Sequence, residues 1–150
     1  MGETLDDVDR VLVRELVANG RATLAELAAS ARLSVSAVQA RVRRLESRGV
    51  VTGYSARINP EALGHLLSAF VAITPLDPSQ PDDAPARLEH IAEIESCHSV
   101  AGEESYILLV RVESPRALED LLQRIRTTAN VKTRSTIILT TFYSDRPHMP

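Results

Sequence analysis

The stretch that decides the fold of the first half of the chain is Leu33–Gly49, which reads LSVSAVQARVRRLESRG. Ser34 is a typical residue to accept hydrogen bonds from the first free amides of a helix, and Gly49 suits the position just past a helix end. The apolar residues between them recur at the spacing of one helical face, and they are Val35, Val38, Val42 and Leu45. The stretch therefore predicts an amphipathic helix with a buried stripe.

The side chains away from this stripe are small, polar or cationic. If the helix occupies the major groove of DNA, those expected to reach base edges are Ser34, Ser36, Ala37, Gln39, Ala40 and Arg43. The expected phosphate contacts, which give affinity without sequence information, are Arg41, Arg44, Arg48 and Arg57. From this helix alone, an ordinary solvated charged face is the alternative.

Two further helices are predicted upstream. Asp6 or Asp7 starts a helix that runs to about Asn19, and the capping-box tetrad Thr23–Glu26 starts another that ends near Ala31. Only a short turn then leads into the arginine-bearing helix, so the two helices must cross steeply. This arrangement is a helix-turn-helix.

Downstream of the arginine-bearing helix the pattern changes to short β-type pieces. Val50–Thr52 and Tyr54–Ile58 are separated by Gly53, and together they predict a small hairpin wing. The first domain is therefore expected to be a winged helix-turn-helix.

A turn-rich segment, Asn59–Gly64, follows the expected wing and marks a domain boundary. We predict a DNA-binding domain over residues 1–59, a linker over 60–65 and a second domain over 66–150. With 150 residues, of which 44% are hydrophobic, the chain is long enough for two small cores.

Charge is distributed unevenly along the chain. The formal net charge is −3, yet residues 30–59 hold six arginines against one glutamate, a local charge of +5. Residues 60–150 hold eight cations and thirteen anions, a local charge of −5. A basic region attached to an acidic one is typical of a DNA-binding module joined to a partner domain.

The second domain shows strand, helix and strand twice over. This β-α-β-β-α-β order predicts an α+β, ferredoxin-like fold in which a four-stranded antiparallel sheet carries both helices on one face. The predicted elements are strands at 66–74, 95–101, 106–112 and 134–143, and helices at 84–93 and from Ser114-Pro115 onward. The proline-rich acidic segment Pro75–Pro85 is expected to be a loop, with no function assigned.

Both faces of the predicted sheet are apolar. In the first strand Ala69, Val71 and Ile73 alternate with Phe70 and Ala72. Helices on one face cannot cover both sets, so a second copy of the chain is expected on the other face, giving a homodimer of the dimeric α+β barrel type.

Several classes of protein and site are disfavoured. Cys97 is the only cysteine, which excludes an intrachain disulfide and favours a reducing compartment. No apolar run spans a membrane and no signal peptide is recognisable, so a cytoplasmic protein without a membrane partner is expected. The sequence predicts no cofactor and no catalytic constellation. It also predicts no metal site, because Cys97 and the four histidines lack the spacing of metal ligands; these histidines are His65, His90, His98 and His148.

The turn Ala101–Tyr106 places a glycine, two carboxylates, a hydroxyl and a phenol at one corner of the sheet. A small zwitterion could use these groups. An ordinary polar hairpin is the alternative.

The chain resembles the Lrp/AsnC family of feast/famine transcription regulators over nearly its whole length. The matching motifs are Leu5–Asp9, Leu24–Ala28, Leu33-Ser34, Arg41–Tyr54 and Asn59–Gly64. The resemblance implies promoter binding by the first domain, and dimerisation, assembly to octamers and amino-acid sensing by the second. It implies a regulator of amino-acid metabolism whose effector site comprises Gly102, Glu103, Glu104, Ser105, Tyr106, Arg134 and Thr136.

The sequence departs from the family pattern at two places. Arg32 stands where the family usually has a glycine, so either this residue adopts a positive φ or the turn rearranges. The family effector motif is similar to Gly-Asp-Tyr-Asp-Tyr, whereas Gly102–Tyr106 has a serine in place of the second aspartate.

Two other functions stay open at this point. One is a ligand-independent, oligomeric protein that wraps DNA, which the altered effector motif favours. The other is a small-molecule enzyme with a helical appendage, because ferredoxin-like sheets host many chemistries. The missing catalytic constellation argues against the enzyme.

Overall fold

The computed structural model describes residues 5–80 and 82–146, which pack as two compact units. The first unit comprises residues up to Arg57 together with 143–146, and the second comprises Ile58–Phe142. The predicted functional division at 60–65 stays a prediction, and the chain ends at 1–4 and 147–150 lie outside the described residues, as does Pro81.

The first unit is built on three helices: α1, Asp7–Ala18; α2, Leu24–Ala31; and α3, Val35–Ser47. Their inward faces form one apolar core, whose buried members are Leu12, Leu27, Ala28, Val38, Val42 and Leu45. Val35 was expected in this core but is 47% exposed, because it is the first residue of α3 and lies at the edge of the stripe.

Each of these helices begins at a side chain that accepts a backbone N–H. The Asp6 carboxylate accepts from the Asp9 amide at 2.7 Å, and the Ser34 hydroxyl accepts from the Ala37 amide at 3.2 Å. Thr23 and Glu26 form the reciprocal capping box. The predicted starts of all three helices are therefore confirmed.

Arg32 ends α2 in the left-handed conformation, with φ 54°. Its amide donates to Ala29 O at 3.3 Å and the next amide, of Leu33, donates to Ala28 O at 3.1 Å. The chain thus keeps the tight turn between α2 and α3 at the cost of a strained arginine, the first of the two outcomes expected at this position.

The predicted hairpin wing is wrong, because residues 50–58 contain no strand. The amides of Val50 and Val51 donate to Leu45 O at 2.9 and 3.2 Å, so the first β-type piece closes the end of α3 and these two amides are not available to a partner strand. Tyr54 then donates its hydroxyl hydrogen to Glu46 Oε1 at 2.9 Å, which ties the segment to α3.

The second unit has the predicted β-α-β-β-α-β order. After a short 3₁₀ helix at Pro60–Leu63, its elements are β1, Leu67–Pro75; α4, Ala84–Leu88; β2, Ile94–Ser99; β3, Tyr106–Val112; α5, Pro115–Ala129; and β4, Val131–Ile138. The strands form one antiparallel sheet in the order β2-β3-β1-β4. The predicted fold class is confirmed.

The helix predicted over 84–93 is shorter than expected. It ends at Leu88, since tight turns follow in which Ile91 N donates to Leu88 O at 3.0 Å and Ile94 N donates to Ile91 O at 3.1 Å. These turns keep Leu88 and Ile91 buried while leading directly into β2, which begins and ends earlier than the predicted 95–101.

The last strand was predicted over 134–143 and instead occupies Val131–Ile138. Asn130 ends α5 in the left-handed conformation, so pairing starts at the next residue, opposite Pro75. Pairing ends where Ser68 meets Ile138, one residue from the start of β1 at Leu67.

The two faces of the sheet differ in cover. One face packs on α4 and α5 through a continuous buried core from β1, β3, β4 and the helices. On the other face Phe70 is 46% exposed, and its neighbour across the sheet, Leu109, is half-buried. The apolar character of both faces, expected from the alternation of residues, is present in the folded chain.

Replacing Arg32 by glycine should stabilise the first unit. Glycine adopts a positive φ without strain, a gain of about 1–2 kcal/mol that its larger unfolded-state entropy reduces to about 0.5–1 kcal/mol. Urea unfolding followed by helical circular dichroism measures the change. Arg32→Ala keeps the Cβ and is the control, so an equal gain in both variants would contradict the strain at this turn.

Candidate DNA-binding and effector sites

The outward face of α3 carries most of the side chains predicted to reach bases. Ser36, Gln39, Ala40 and Arg43 are exposed on this face, whereas Ala37 is half-buried. The hydroxyl of Ser34 is already engaged, since it caps α3 and lies 3.2 Å from the Ser36 hydroxyl. The face is therefore small and polar around a single protruding arginine.

Arg41 and Arg44, predicted as phosphate contacts, both contact carboxylates of the first helix. Arg41 Nη1 lies 2.6 Å from Asp6 Oδ2 and 2.8 Å from Asp9 Oδ1. Arg44 Nη2 lies 2.9 Å from Asp9 Oδ2. We call these four residues the α1–α3 charge cluster.

The charge cluster differs in burial from one member to the next. The Asp9 side chain is only 2% exposed and that of Arg41 is 28% exposed, whereas half of the Arg44 side chain faces solvent. The Arg41 guanidinium, followed by the Asp9 amide, lowers the pKa of the Asp6 carboxyl. In return the two carboxylates raise the pKa of Arg41, so this pair stays ionised at neutral pH.

Sequence reasoning missed Asp9, although a signal for it was present. The residue lies on the apolar side of α1, beside Val8 and one turn before Leu12, where an acidic residue cannot reach water. A charge at such a position predicts a partner charge on the facing helix, because an unpaired buried carboxylate is strongly disfavoured.

The remaining two predicted phosphate contacts lie after α3. Arg48 is exposed at the C-terminal end of α3, where its amide donates to Arg44 O at 3.0 Å. Arg57 is 71% exposed and its guanidinium lies 3.6 Å from the Asp145 carboxylate. An exposed contact of this length is weak and leaves the Arg57 charge available to other anions.

The predicted effector turn connects β2 to β3 at the edge of the sheet. Ser105 N donates to Ile73 O at 3.1 Å, and Val100 N donates to Ser105 O at 3.1 Å, so the turn is anchored to β1 as well as to its own strands. Gly102 and Glu103 are exposed on it.

The structure brings two of the predicted effector residues together. The Arg134 guanidinium on β4 forms an ion pair with the Glu104 carboxylate on the turn. The sheet register explains this contact, because Arg134 is opposite Ala72 while Tyr106 is opposite the next residue of β1. Thr136 is exposed one pleat further along β4.

Tyr106, at the end of the effector turn, contacts a residue to which the sequence assigned no function. The Asp82 carboxylate on the acidic loop lies close enough to raise the pKa of Tyr106, which it does by favouring the protonated phenol. Asp82 is separated in sequence from the turn, so its proximity follows only from the fold.

No group of three metal-ligating side chains occurs among residues 5–80 and 82–146; His148 lies outside them. Over the same described part of the chain, no helix has the length and apolarity needed to cross a bilayer.

Comparison with known proteins matches both units to families. The model of the AsnC-type helix-turn-helix domain matches residues 5–46, and the model of the Lrp/AsnC ligand binding domain matches residues 68–148.

Individual relatives agree with these matches. The chain is 85% identical over 150 residues, and over 100% of both proteins, to the HTH-type transcriptional regulator LrpA of Mycobacterium tuberculosis. It is 39% identical over 124 residues to the leucine-responsive regulatory protein of Salmonella typhimurium, covering 81% of this chain and 75% of that protein.

A solved structure is similarly close. The feast or famine regulatory protein of M. tuberculosis complexed with L-methionine is 85% identical, with a TM-score of 0.96 over 98% of this chain and 100% of that chain.

Replacing Arg41 by methionine should destabilise the first unit by about 1–3 kcal/mol, because one oxygen of the buried Asp9 carboxylate loses its partner. Urea unfolding at neutral pH measures this loss. Arg41 also lowers the pKa of the Asp6 carboxyl from its ordinary value of 3.8, so the part of the loss that comes from Asp6 should be complete above pH 3.8 and should shrink as the pH falls from there through the lowered pKa. Arg43→Met, at an exposed position, is the control, and equal losses in both variants would refute a structural role for Arg41.

Proposed function

The chain belongs to the Lrp/AsnC family of transcriptional regulators, and we propose that it binds promoter DNA through the outward face of α3 and responds to an amino acid bound at the effector turn. Its relatives are named transcriptional regulators rather than enzymes, and the chain is a regulator of this type.

The outward face of α3 is the observation that supports DNA binding most directly. Ser36 and Ala40 are too short to keep a duplex at a distance, so α3 could lie deep in the major groove, where the Gln39 amide could reach a base edge. Arg43, exposed on the same face, has the forked donor group that suits guanine.

The phosphate contacts of this proposal come from the rim of that face. Arg48 and Arg57 are exposed beyond the end of α3, and Arg44 is half exposed on its other side. Arg41 lies between two carboxylates, so its charge adds little to the attraction for DNA, and its proposed role is to hold α1 against α3.

The effector half of the proposal depends on the Glu104–Arg134 ion pair. A free amino acid carries one carboxylate and one ammonium, the two groups that this pair could bind if it opened. Tyr106 ends this turn, and Asp82 on the acidic loop, which raises the pKa of Tyr106, adds a further acceptor for the ammonium. L-methionine is the proposed ligand, since the M. tuberculosis structure is complexed with it.

Transmission of the ligand signal requires an assembly. We propose that a second copy covers the exposed sheet face around Phe70, forming a dimer that associates further, to an octamer. An amino acid that binds one assembly more tightly than another shifts their populations, and with them the occupancy of the promoter. We further propose that the regulated genes are those of amino-acid metabolism and that the protein acts in the cytoplasm.

Replacing Arg43 by alanine should weaken promoter binding about tenfold or more, because a bidentate base contact contributes about 1–3 kcal/mol. Fluorescence anisotropy with a fragment recovered from genomic DNA by the wild-type protein measures the affinity. Arg116→Ala, at an exposed position on α5, is the matched control. Equal affinity of the Arg43 variant and the wild-type protein would refute the placement of α3.

Replacing Glu104 by glutamine should weaken L-methionine binding about 10- to 100-fold, because a hydrogen bond to a charged group contributes about 1.5–3 kcal/mol. Isothermal titration of the full-length protein with L-methionine and with L-leucine measures the effect. Glu103→Gln, exposed on the same turn, is the control.

The same titration separates the two regulatory functions. If L-leucine gives heat and L-methionine does not, the proposed ligand is wrong and the proposed site is retained. No heat from any common amino acid, with promoter binding intact, would favour the ligand-independent DNA-wrapping protein.

A further inference from the structure

The buried position of Asp9 in the charge cluster is unusual for a helix whose only role is to pack against its neighbours. Asp9 is 2% exposed within an otherwise apolar core, and each of its two oxygens contacts a different arginine of α3. Replacing such a buried ion pair with apolar residues of similar size is often neutral or stabilising. Stability alone therefore does not account for the arrangement.

The charge cluster fixes geometry on α3. Asp9 Oδ1 lies 2.8 Å from Arg41 Nη1, and Asp9 Oδ2 lies 2.9 Å from Arg44 Nη2, so one carboxylate spans two residues that are almost one helical turn apart. Asp6 Oδ2 adds a second contact to Arg41. The rotation of α3 about its own axis is thereby fixed relative to α1.

Arg44 is only partly used by this contact. A guanidinium has five N–H donors in a planar fork, and in Arg44 the contact with Asp9 involves Nη2 while half of the side chain is exposed. Such a fork, held on one side by a carboxylate, is oriented before any anion approaches on the other.

We propose that Asp9 is a positioning residue for DNA recognition: it orients Arg44 toward a backbone phosphate and fixes the angle at which α3 presents Arg43 and Gln39 to the bases. This inference rests on the proposed function. The contact with DNA is made by Arg44, whereas Asp9 acts through it from beneath the surface.

A positioning role for Asp9 and a purely electrostatic one predict different changes in the affinities for specific and non-specific DNA. Removing the Asp9 charge leaves the cluster more positive, which favours any duplex, whereas losing the fixed geometry weakens only binding that depends on register. The ratio of specific to non-specific affinity is therefore the informative quantity, and a merely destabilised protein would lose both affinities together.

The test compares Asp9→Asn with the wild-type full-length protein. Anisotropy titrations use a fragment recovered by the wild-type protein and a scrambled duplex of equal composition, each at several salt concentrations. Asp9→Asn is expected to lower the affinity ratio at least about tenfold, with non-specific affinity equal or higher. Asp7→Asn, which removes an exposed charge from the same turn of α1, should leave the ratio unchanged.

A second variant decides the outcome if Asp9→Asn does not fold. Arg44→Lys keeps the charge at a half-exposed position and removes the fork, so the ratio should fall while the salt dependence stays as in the wild-type protein. An unchanged ratio in every folded variant would overturn the inference and leave the proposed function intact. A wild-type protein that binds no duplex would overturn the proposed function, and the inference with it.

Discussion

The first unit depends on one carboxylate that has been taken out of water. Asp9 sits among apolar side chains of α1, and only the two guanidiniums that α3 places over it make that position acceptable. The same contacts join the helix that begins the unit to the helix that faces DNA in our proposal. The same contacts therefore stabilise the fold of the unit and orient its outward surface. The arginines of α3 differ in role according to their burial: the less exposed ones hold α1, and the more exposed ones are available to DNA.

In the second unit, the pairing of the strands brings residues that are distant in sequence to one corner of the sheet. Because β1 pairs with both β3 and β4, residues near position 105 and position 134 come to neighbouring places although they are far apart in sequence. Glu104 and Arg134 satisfy each other there. An amino acid would have to replace an existing ion pair, so its binding would exchange partners between charges and would not fill an empty site.

Much of the fold follows from local patterns, whereas the site required the tertiary structure. The helix starts could be predicted because Asp6, Thr23 and Ser34 satisfy their own helix termini, a strictly local effect. The strand ends and the wing could not be predicted in this way, because contacts between distant residues decide them. The extent of β4 follows its register with β1, and the amides of Val50 and Val51, expected in the wing, bind Leu45 O. The exposed face of α3 could be read from periodicity, but the periodicity of α3 carries no information about which arginines α1 neutralises.

Arg134 has a further significance that follows from the order of the strands. With β2 and β4 at the two ends of the sheet, the outer margin of β4 presents unpaired backbone groups, and Lys132 and Arg134 place like charges along it. Charged side chains on an edge strand, whether or not they are ion-paired within the chain, disfavour pairing with the edge of a second sheet. A neutral residue at position 134 would thus remove a safeguard against uncontrolled self-association as well as half of an ion pair, and solubility is the property in which that second loss would be seen.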